Sequence, residues 1–335
     1  MVVGYDNEGK IMKLNKDWKF EESFPKISAY VTAYNCVKNG YPITEAIKSF
    51  AWCDEVVVVD GGSDDETKQA IEDLQLENVV VYDIPIDWDL PGKDGQLKSM
   101  ARAMCMNEVL IQFDADEICV GSREKWRRLA KDLQFDILEL PVLEPLGDIK
   151  HLRLNKEHNP LKWRMTKSKP EIVHGIPKRD QVEHDGKVYS RGGSDGCNFV
   201  HVVTGMPIAS YVSKLGMEYG RSYRSLAADP SNSDAATGHK VLVEGMVTAG
   251  EPCVLHVGHV DLEKKIRLFL AEWRNWWADL YNKDPEDIGM YFEDKKVEDV
   301  SDEDVAKRAE EIFKETPTLE IELLEGVASA EGYSV

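Results

Sequence analysis

The sequence predicts an α/β fold in which a mostly parallel, Rossmann-like sheet is flanked by helices. Two observations lead to this class. In the first third of the chain, short apolar runs of strand length alternate with segments of helical character, and a polar loop follows each run. The run EVVVV at residues 55–59 is continuous, as is typical of a strand buried on both faces of a parallel sheet. Sheets of this kind bind ligands at the carboxyl ends of their strands.

The elements follow in chain order. Strands are predicted at residues 26–34, 55–59, 78–82 and 108–113, and the helices between them at residues 44–52, 65–76 and 96–106. Beyond residue 121 the pattern changes to a helix at 123–133, a strand at 136–141 and a long polar stretch up to residue 200. The remaining predictions are a mobile loop at 229–239, a strand at 253–257, a helix at 261–281, an acidic helix at 293–316 and a frayed end.

The composition excludes several classes of partner. Lys and Arg number 41 against 61 Asp and Glu, and the net charge of −20 makes the surface repel phosphate backbones and anionic lipids. We therefore expect no nucleic-acid partner and no stable membrane insertion. Because no stretch has the length of a transmembrane helix and the N-terminus lacks a secretory pattern, a cytoplasmic location is predicted. The six cysteines lack metal-ligand spacing and are expected to be reduced.

The strongest chemical signal is the motif Asp114-Ala115-Asp116-Glu117, which follows the apolar run EVLIQF. Asp114 and Asp116 place two carboxylates on the same side of a turn, and oxygen ligands suit a hard cation such as Mg²⁺ or Mn²⁺. The chain has neither a GxGxxG nor a Walker A loop, whose backbone N–H groups would neutralise phosphates. A metal ion that bridges a diphosphate is the remaining way to neutralise it.

Four segments carry a resemblance to a known family. They are ISAYVTAYN at 27–35, EVVVVDGGSDDET at 55–67, KDGQLKSMAR at 93–102 and VLIQFDADE at 109–117. In order and spacing they are similar to the GT-A core of glycosyltransferase family 2. The resemblance implies a GT-A fold with an acceptor-side extension and C-terminal helices. It also implies an inverting enzyme that moves a sugar from a nucleoside-diphosphate sugar to a glycan or another hydroxyl acceptor, with UDP the first choice of nucleotide and GDP the second.

With this resemblance, the chain divides into four parts. They are an N-terminal extension (residues 1–25), a nucleotide-sugar-binding core (26–120), an acceptor-binding half of the same domain (121–260) and a C-terminal helical region (261–335). The acceptor is left open among a glycan, a lipid-linked intermediate and a protein. The acidic C-terminal helices could pair subunits into a homo-oligomer.

The resemblance also implies which residues bind the donor. Those expected to contact the nucleoside or its diphosphate in the core are Thr32, Ala33, Tyr34, Asn35, Asp60, Gly62, Ser63, Lys98, Arg102, Asp114 and Ala115. Family members often carry a second acidic residue where this chain has Gly61, so Asp60 is the main candidate to read the base or ribose. Alternatively, Asp60 is a turn residue before two glycines, and Lys98 and Arg102 form a solvated basic stripe.

Histidines add candidates in the second half. The segment LKWRMTKSKPEIVHGIP at 161–177 is similar to a family 2 segment with a Val-His pair, which implies a donor-site role for His174, although Gly175 stands where the family usually has Glu. A hydrogen-bonded loop histidine is the alternative. His256 and His259, in VLHVGHV, resemble a late histidine that closes over the donor site, where an imidazole would complete the metal shell or contact the diphosphate.

An inverting transfer also needs a base. A carboxylate takes the proton of the acceptor hydroxyl as its oxygen attacks C1, while the metal stabilises the leaving nucleoside diphosphate. The family implies that this base follows the DxD motif. Asp195 is the first choice, because flanking glycines would make its loop mobile, and Asp180 and Glu171 are the alternatives.

Three other functions share part of the pattern. A haloacid dehalogenase-like phosphohydrolase also has a strand leading into DxD, but it carries Thr or Val where this chain has Ile118. A sugar nucleotidyltransferase needs a Gly-rich basic loop after the first strand, which residues 32–40 do not form. The third is a non-catalytic carbohydrate-binding protein on a GT-A scaffold.

The aromatic residues Trp273, Trp276 and Trp277 have the spacing of core positions, with stacking on sugar faces as the alternative.

Overall fold

The computed structural model describes residues 4–5, 11–12, 24–87, 93–133, 136–155, 159–175, 181–184, 187–190, 199–204, 207–274, 278, 291–292 and 297–330. Within these ranges the predicted α/β class is confirmed, because helices cover both faces of one mixed, largely parallel sheet.

The strands are short and most belong to the first two thirds of the chain. In chain order they are β1 (Gly4–Tyr5), β2 (Ile11–Met12), β3 (Ile27–Ala33), β4 (Glu55–Asp60), β5 (Val79–Asp83), β6 (Val109–Gln112), β7 (Glu117–Val120), β8 (Ile137–Leu143), β9 (His151–Arg153), β10 (Leu161–Lys167), β11 (Ile172–His174), β12 (Gln181–His184), β13 (Lys187–Ser190), β14 (Phe199–His201), β15 (Tyr211–Val212), β16 (Cys253–His256) and β17 (Thr318–Glu320).

The α-helices separate the strands and dominate the C-terminal part. They are α1 (Ile43–Phe50), α2 (Thr67–Glu72), α3 (Lys93–Met104), α4 (Arg123–Lys131), α5 (Lys214–Ala228), α6 (Ser233–Ala249), α7 (Leu262–Leu268), α8 (Asp302–Glu315) and α9 (Leu323–Ala330). Among the helices that the structure describes, none combines the length and the apolar character that a membrane crossing requires.

Nine of the described strands form the central sheet. Eight of them lie in the order β5-β4-β3-β6-β10-β8-β16-β7, and β15 pairs with the first part of β8. The strands β5, β4, β3 and β6 are parallel, whereas β10 is antiparallel to β6 and β8. β16 runs parallel to β8 and antiparallel to β7. The sheet therefore continues from residues 26–120 into residues 121–260 without a break.

The valines of β4 show why this part of the sequence forms a parallel sheet. Val56 and Val58 pack in the core beneath α1, and Val57 and Val59 pack against α3 on the other face. Because side chains alternate between the two faces of a strand, an uninterrupted apolar run is what a strand covered on both faces requires. The packing fixes β4 in the middle of the sheet, with its carboxyl end at Asp60.

The prediction of a mobile loop at residues 229–239 is wrong. This segment is the short turn between α5 and α6 and the first turns of α6. The side chain of Asn232 accepts a hydrogen bond from the backbone N–H of Ala235, at 3.0 Å, and so caps the start of α6. The polar residues of this segment begin α6, and the prediction failed because a helix start and a loop have similar compositions.

The C-terminal region also differs from its prediction, in both directions. α7 passes into a π-helical turn at Phe269–Trp273, so the predicted long helix is interrupted. α8 begins at a capping box formed by Ser301 and Asp304, β17 pairs with β9, and α9 occupies residues expected to fray. The side chains of Trp273, Trp276 and Trp277, for which core packing is predicted, lie outside the described residues.

Candidate active site

The loops that follow β3 and β4 meet at the carboxyl edge of the sheet. Asn35 is buried and has a left-handed backbone, with φ of 46°. Its N–H donates to Ser63 Oγ at 2.9 Å, and its Oδ1 accepts from the N–H of Asp64 at 2.9 Å. The predicted contact residues Asn35 and Ser63 therefore join the two loops. Just before Asn35, Thr32 and Tyr34 remain half-buried and Ala33 is buried.

Asp60 shapes the second of these loops. Its Oδ1 accepts from the N–H groups of Gly62 and Ser63, at 2.9 and 2.7 Å, and its Oδ2 accepts from Ser63 Oγ at 2.6 Å. The residue is completely buried. Gly62 has φ of 94°, a conformation that favours glycine, and Pro85 packs against its Cα. This geometry favours the turn role for Asp60 over direct contact with a nucleoside.

Asp114 lies where β6 ends, among positively charged groups. Its Oδ1 is 2.8 Å from Lys98 Nζ and accepts from Gln112 Nε2 at 2.9 Å, and its Oδ2 is 3.1 Å from an Arg164 nitrogen. Burial alone would raise the pKa of Asp114, but Lys98 and Arg164 hold it well below its ordinary value. Lys98 also lies 3.2 Å from Asp94. The carboxylate of Asp114 is thus neutralised by the protein itself.

The sequence reasoning missed Arg164, which pairs with Glu117 of the motif at residues 114–117. Both are buried, and Arg164 donates to Glu117 Oε1 at 2.5 Å and to Oε2 at 3.0 Å. The pairing register of β10 shifts between Trp163 and Met165, at the position of Arg164. Glu117 Oε2 also accepts from the N–H of Asp114 at 3.0 Å. The available signal was the charge of these two residues within otherwise buried strands.

Asp116 has a different environment from Asp114, although only one residue separates them. Its Oδ2 lies 3.3 Å from His256 Nε2, and His256 Nδ1 lies 3.1 Å from Glu144 Oε1. Pairing of β16 with β7, in register from Cys253 to His256, produces this contact. Burial would lower the pKa of His256, but Asp116 and Glu144 raise it to about 10. Burial alone would raise the pKa of Asp116, but the neighbouring His256 lowers it below its ordinary value.

Glu144 was also missed by the sequence reasoning, and it contacts both histidines. One potential ligand atom from each of Glu144, His256 and His259 lies within 4.8 Å of the others. His259 Nδ1 is 3.3 Å from Glu144 Oε1 without hydrogen-bond geometry, and burial lowers the pKa of His259 to about 4. The backbone of Gly258 lies so close to Asp116 that an added Cβ would overlap its carboxylate. These residues bring carboxylate oxygens and imidazole nitrogens close together after β8 and at the end of β16.

Arg102 has a structural role that the sequence did not predict. Its guanidinium donates to the carbonyls of Ile172 and Lys167, at 2.9 and 2.7 Å, and to Thr166 Oγ1. It also lies 5.5 Å from the ring centroid of Phe199. All three nitrogens therefore hold β10 and β11 together. This placement favours a structural role for Arg102 over the expected diphosphate contact, because Thr166 pairs with the first half of β6, away from its carboxyl end.

His174 is a buried, hydrogen-bonded histidine, which was the alternative to a donor-site role. Its ring Nε2 lies 2.7 Å from the hydroxyl of Tyr30, and its backbone N–H donates to Ser99 Oγ at 3.0 Å. The ring also contacts Phe199, with centroids 4.5 Å apart. Burial raises the pKa of Tyr30 above its ordinary value. These contacts fasten β11 to α3 and β3.

The candidates for the catalytic base differ in how much the structure says about them. Glu171 acts electrostatically on Lys169, whose ammonium is 2.8 Å from Asp136 just before β8 begins. This is the opposite edge of the sheet from Asp114, so the position does not favour Glu171 as the base. Asp180 and Asp195 lie outside the described residues.

Comparison with known proteins gives one family match and several similar solved structures. Residues 28–169 match the family described as Glycosyl transferase family 2. Comparison with curated proteins found no match. Among solved structures, S. aureus TarS 1-349 is 15% identical, with a TM-score of 0.35 over 86% of this chain and 91% of that chain. Its complex with UDP-GlcNAc is 16% identical, with a TM-score of 0.34 over the same shares.

A second neighbour is similar over a shorter part. Glucosyl-3-phosphoglycerate synthase from Mycobacterium tuberculosis, solved with Mg²⁺ and UDP, is 20% identical with a TM-score of 0.27 and covers 36% of this chain and 44% of its own. The family match includes β3 to β10, and therefore Lys98, Asp114, Asp116 and Arg164. The match of residues 28–169 to this family confirms the resemblance and the prediction of a glycosyltransferase.

Proposed function

We propose that this protein is a metal-dependent, inverting glycosyltransferase that transfers a sugar from a nucleoside-diphosphate sugar, with UDP preferred over GDP, to a glycan or another hydroxyl acceptor. The observation that carries the proposal is the convergence of Asp116, His256 and Glu144 beside Asp114 at the carboxyl edge of the sheet. The family match of residues 28–169 supports this class over a haloacid dehalogenase-like phosphohydrolase.

Asp116 and His256 fit a divalent cation. Glu144 accepts from Nδ1 of His256, and Nε2 is directed at Asp116, where a bound cation would take the place of the Nε2 proton. A carboxylate that holds one ring nitrogen while the other faces a metal is the usual arrangement around ligating histidines. Because Gly258 has no side chain, its backbone can lie close to Asp116 without placing a Cβ against the carboxylate. A bound Mn²⁺ or Mg²⁺ would neutralise the diphosphate of the donor and of the leaving nucleotide.

Asp114 has a different role in this proposal. Lys98 and Arg164 already occupy both of its oxygens, so it is a poorer metal ligand than Asp116. We assign to Asp114 the positioning of Lys98, whose buried ammonium supplies a fixed positive charge for the diphosphate. Arg164 and Glu117 hold Asp114 in place from the opposite side. The two aspartates of the motif thus divide the work between a metal and a lysine.

The joined loops after β3 and β4 are proposed to bind the nucleoside. Asn35 and Ser63 fix the loops to each other, and Asp60 fixes the backbone of residues 62–63. This leaves the half-buried Thr32 and Tyr34 at the end of β3 as side chains that can contact a base or ribose. The acceptor base stays a sequence prediction, with Asp195 preferred and Asp180 second.

A thermal-shift experiment tests the proposal. UDP and GDP are added with and without Mn²⁺ to the wild type, to Asp116→Asn and to a control, Asp234→Asn, which changes an exposed aspartate in the first turn of α6. A ligand that binds only the native state raises the melting temperature. We expect a rise that needs nucleotide and Mn²⁺ together, that is lost in Asp116→Asn and that persists in Asp234→Asn. An equal rise without Mn²⁺, or its survival in Asp116→Asn, would contradict the proposal.

A further inference from the structure

We propose that Lys264 is a positioning residue for the donor nucleotide. It ties the loop of residues 35–41, which follows β3, to the first turn of α7, and so holds two walls of the donor cleft at a fixed spacing. The inference rests on the proposed function, because it takes the occupant of the cleft to be a nucleoside diphosphate. Nothing in the sequence pattern had singled out this lysine.

One side of the 35–41 loop is already fixed by the neighbouring loop. The N–H of Val37 donates to Thr67 Oγ1 at 3.1 Å, and the N–H of Lys38 donates to Asp65 Oδ2 at 2.8 Å. Together with the bonds of Asn35, these contacts fasten the first half of the loop to residues 63–67. Its second half, around Gly40, is turned by backbone hydrogen bonds back to residues 35–37, and it receives a further support from outside the loop.

Lys264 supplies that support from the C-terminal region. Its ammonium donates to the carbonyl oxygen of Gly40 and lies 5.8 Å from the ring centroid of Tyr41. Gly40 has φ of 63°, and a Cβ there would lie 3.0 Å from both Cε and Nζ of Lys264. The glycine therefore allows the turn and leaves room for the lysine stem to pack on it. The contact combines a charge-assisted hydrogen bond with a cation–π interaction.

The helix that carries Lys264 is itself well anchored. Asp261 caps α7 by accepting from the N–H of Lys264 at 3.0 Å. Leu262 and Ile266 on the same helix belong to a buried cluster with Val305 of α8. α7 follows closely after β16, which carries His256. The same part of the chain thus provides a proposed metal ligand and the lysine that holds the opposite loop.

The charges around Lys264 are consistent with a place in the donor cleft. Burial lowers its pKa, while Asp261 and Asp116 oppose that effect. Asp116 is the residue assigned to the metal, so the ammonium of Lys264 lies within electrostatic reach of the diphosphate site. Loss of the lysine is expected to release the loop and to weaken nucleotide binding without removing any metal ligand.

Calorimetry and hydrogen exchange on the full-length protein test this inference. The variants are Lys264→Met, Lys264→Arg and a control, Lys240→Met, which removes a lysine that donates to the carbonyl of Glu320 at 3.0 Å, a contact between α6 and β17. The probes are UDP with Mn²⁺, GDP with Mn²⁺, and Mn²⁺ alone. Exchange of backbone amides is followed in peptides that cover residues 35–41.

In Lys264→Met we expect the dissociation constant of the nucleotide to rise about tenfold, as for the loss of one charge-assisted hydrogen bond. Exchange in residues 35–41 should accelerate, while the affinity for Mn²⁺ alone stays unchanged. Lys264→Arg should recover most of the affinity, and Lys240→Met should behave as the wild type. Unchanged nucleotide binding or unchanged loop exchange in Lys264→Met overturns the inference. Failure of the wild type to bind either nucleotide with Mn²⁺ would overturn the proposed function instead.

Discussion

Gly258→Ala offers a sharp test of the metal site, because a single methyl group would enter it. The Cβ of the alanine would overlap Asp116 Oδ2 and would lie 3.0 Å from His256 Nε2. The backbone of Gly258 is outside the left-handed region, so alanine can adopt its conformation without strain. The perturbation is therefore steric and acts directly on the two proposed ligands.

The expected size of the effect follows from the geometry. An ordinary carbon–oxygen contact is about 3.4 Å, so the Asp116 carboxylate must move by about 1 Å. Metal–ligand distances tolerate only about 0.2 Å. We expect the affinity for Mn²⁺ to fall by about 100-fold, at the upper end of the range for residues that support a ligand. The free energy of unfolding should fall by only about 1–3 kcal/mol, because one methyl group is added.

Isothermal titration with Mn²⁺ and chemical unfolding measure the two quantities. The matched control is Gly238→Ala, since a Cβ at this exposed position of α6 would meet no atom within 4 Å. The control should bind Mn²⁺ as the wild type does and should be more stable by about 0.8 kcal/mol, as for glycine to alanine within a helix. A folded Gly258→Ala protein with wild-type affinity for Mn²⁺ would refute the assignment of Asp116 and His256.

Three further predictions concern the same cleft and the α5–α6 pair. Glu144→Gln should lower the affinity for Mn²⁺ by about 10- to 100-fold, measured by titration, because His256 loses the carboxylate that orients it. Asp114→Asn should leave the affinity for Mn²⁺ within about tenfold of the wild type but weaken nucleotide binding, because Lys98 loses one of its carboxylate partners and keeps Asp94; equal loss of metal in Asp114→Asn and Asp116→Asn would contradict this division. Burial lowers the pKa of His239 from 6.5 to about 4, so its stabilising effect is present above pH 6.5 and is lost as the pH falls towards 4. Between pH 7 and pH 5 the wild type should lose about 2 kcal/mol more stability than His239→Gln in chemical unfolding, and equal losses would show that His239 is not held neutral.

The sequence predicted the parallel part of the sheet well, because burial on both faces leaves a simple signal. The runs that became β3, β4 and β6 are mostly apolar, and each ends near a polar loop. The prediction failed where short polar side chains cap a helix, as Asn232 does for α6. Ser, Asp and Asn have the same composition in a loop as at a helix start, so only the backbone distinguishes the two.

Prediction of the site was less complete, since charge alone does not reveal a partner. Lys98 and Arg102 are separated by one helical turn and were given the same role. In the structure Lys98 reaches Asp114, whereas Arg102 holds Thr166 and the neighbouring carbonyls. Glu144 is distant in sequence from both histidines that it contacts, and such a contact depends on the order of β8 and β16 in the sheet.

The different roles proposed for Asp114 and Asp116 follow from the path of the chain. Asp114 follows the last residues of β6 and stays near α3, where Lys98 can reach it. Asp116 lies in the turn immediately before β7, and β7 pairs with β16, which carries His256. Two carboxylates that are two positions apart therefore lie in different environments, one beside a lysine and an arginine and the other beside a histidine. The same motif can then hold a cation and a diphosphate side by side, provided that β16 remains paired with β7.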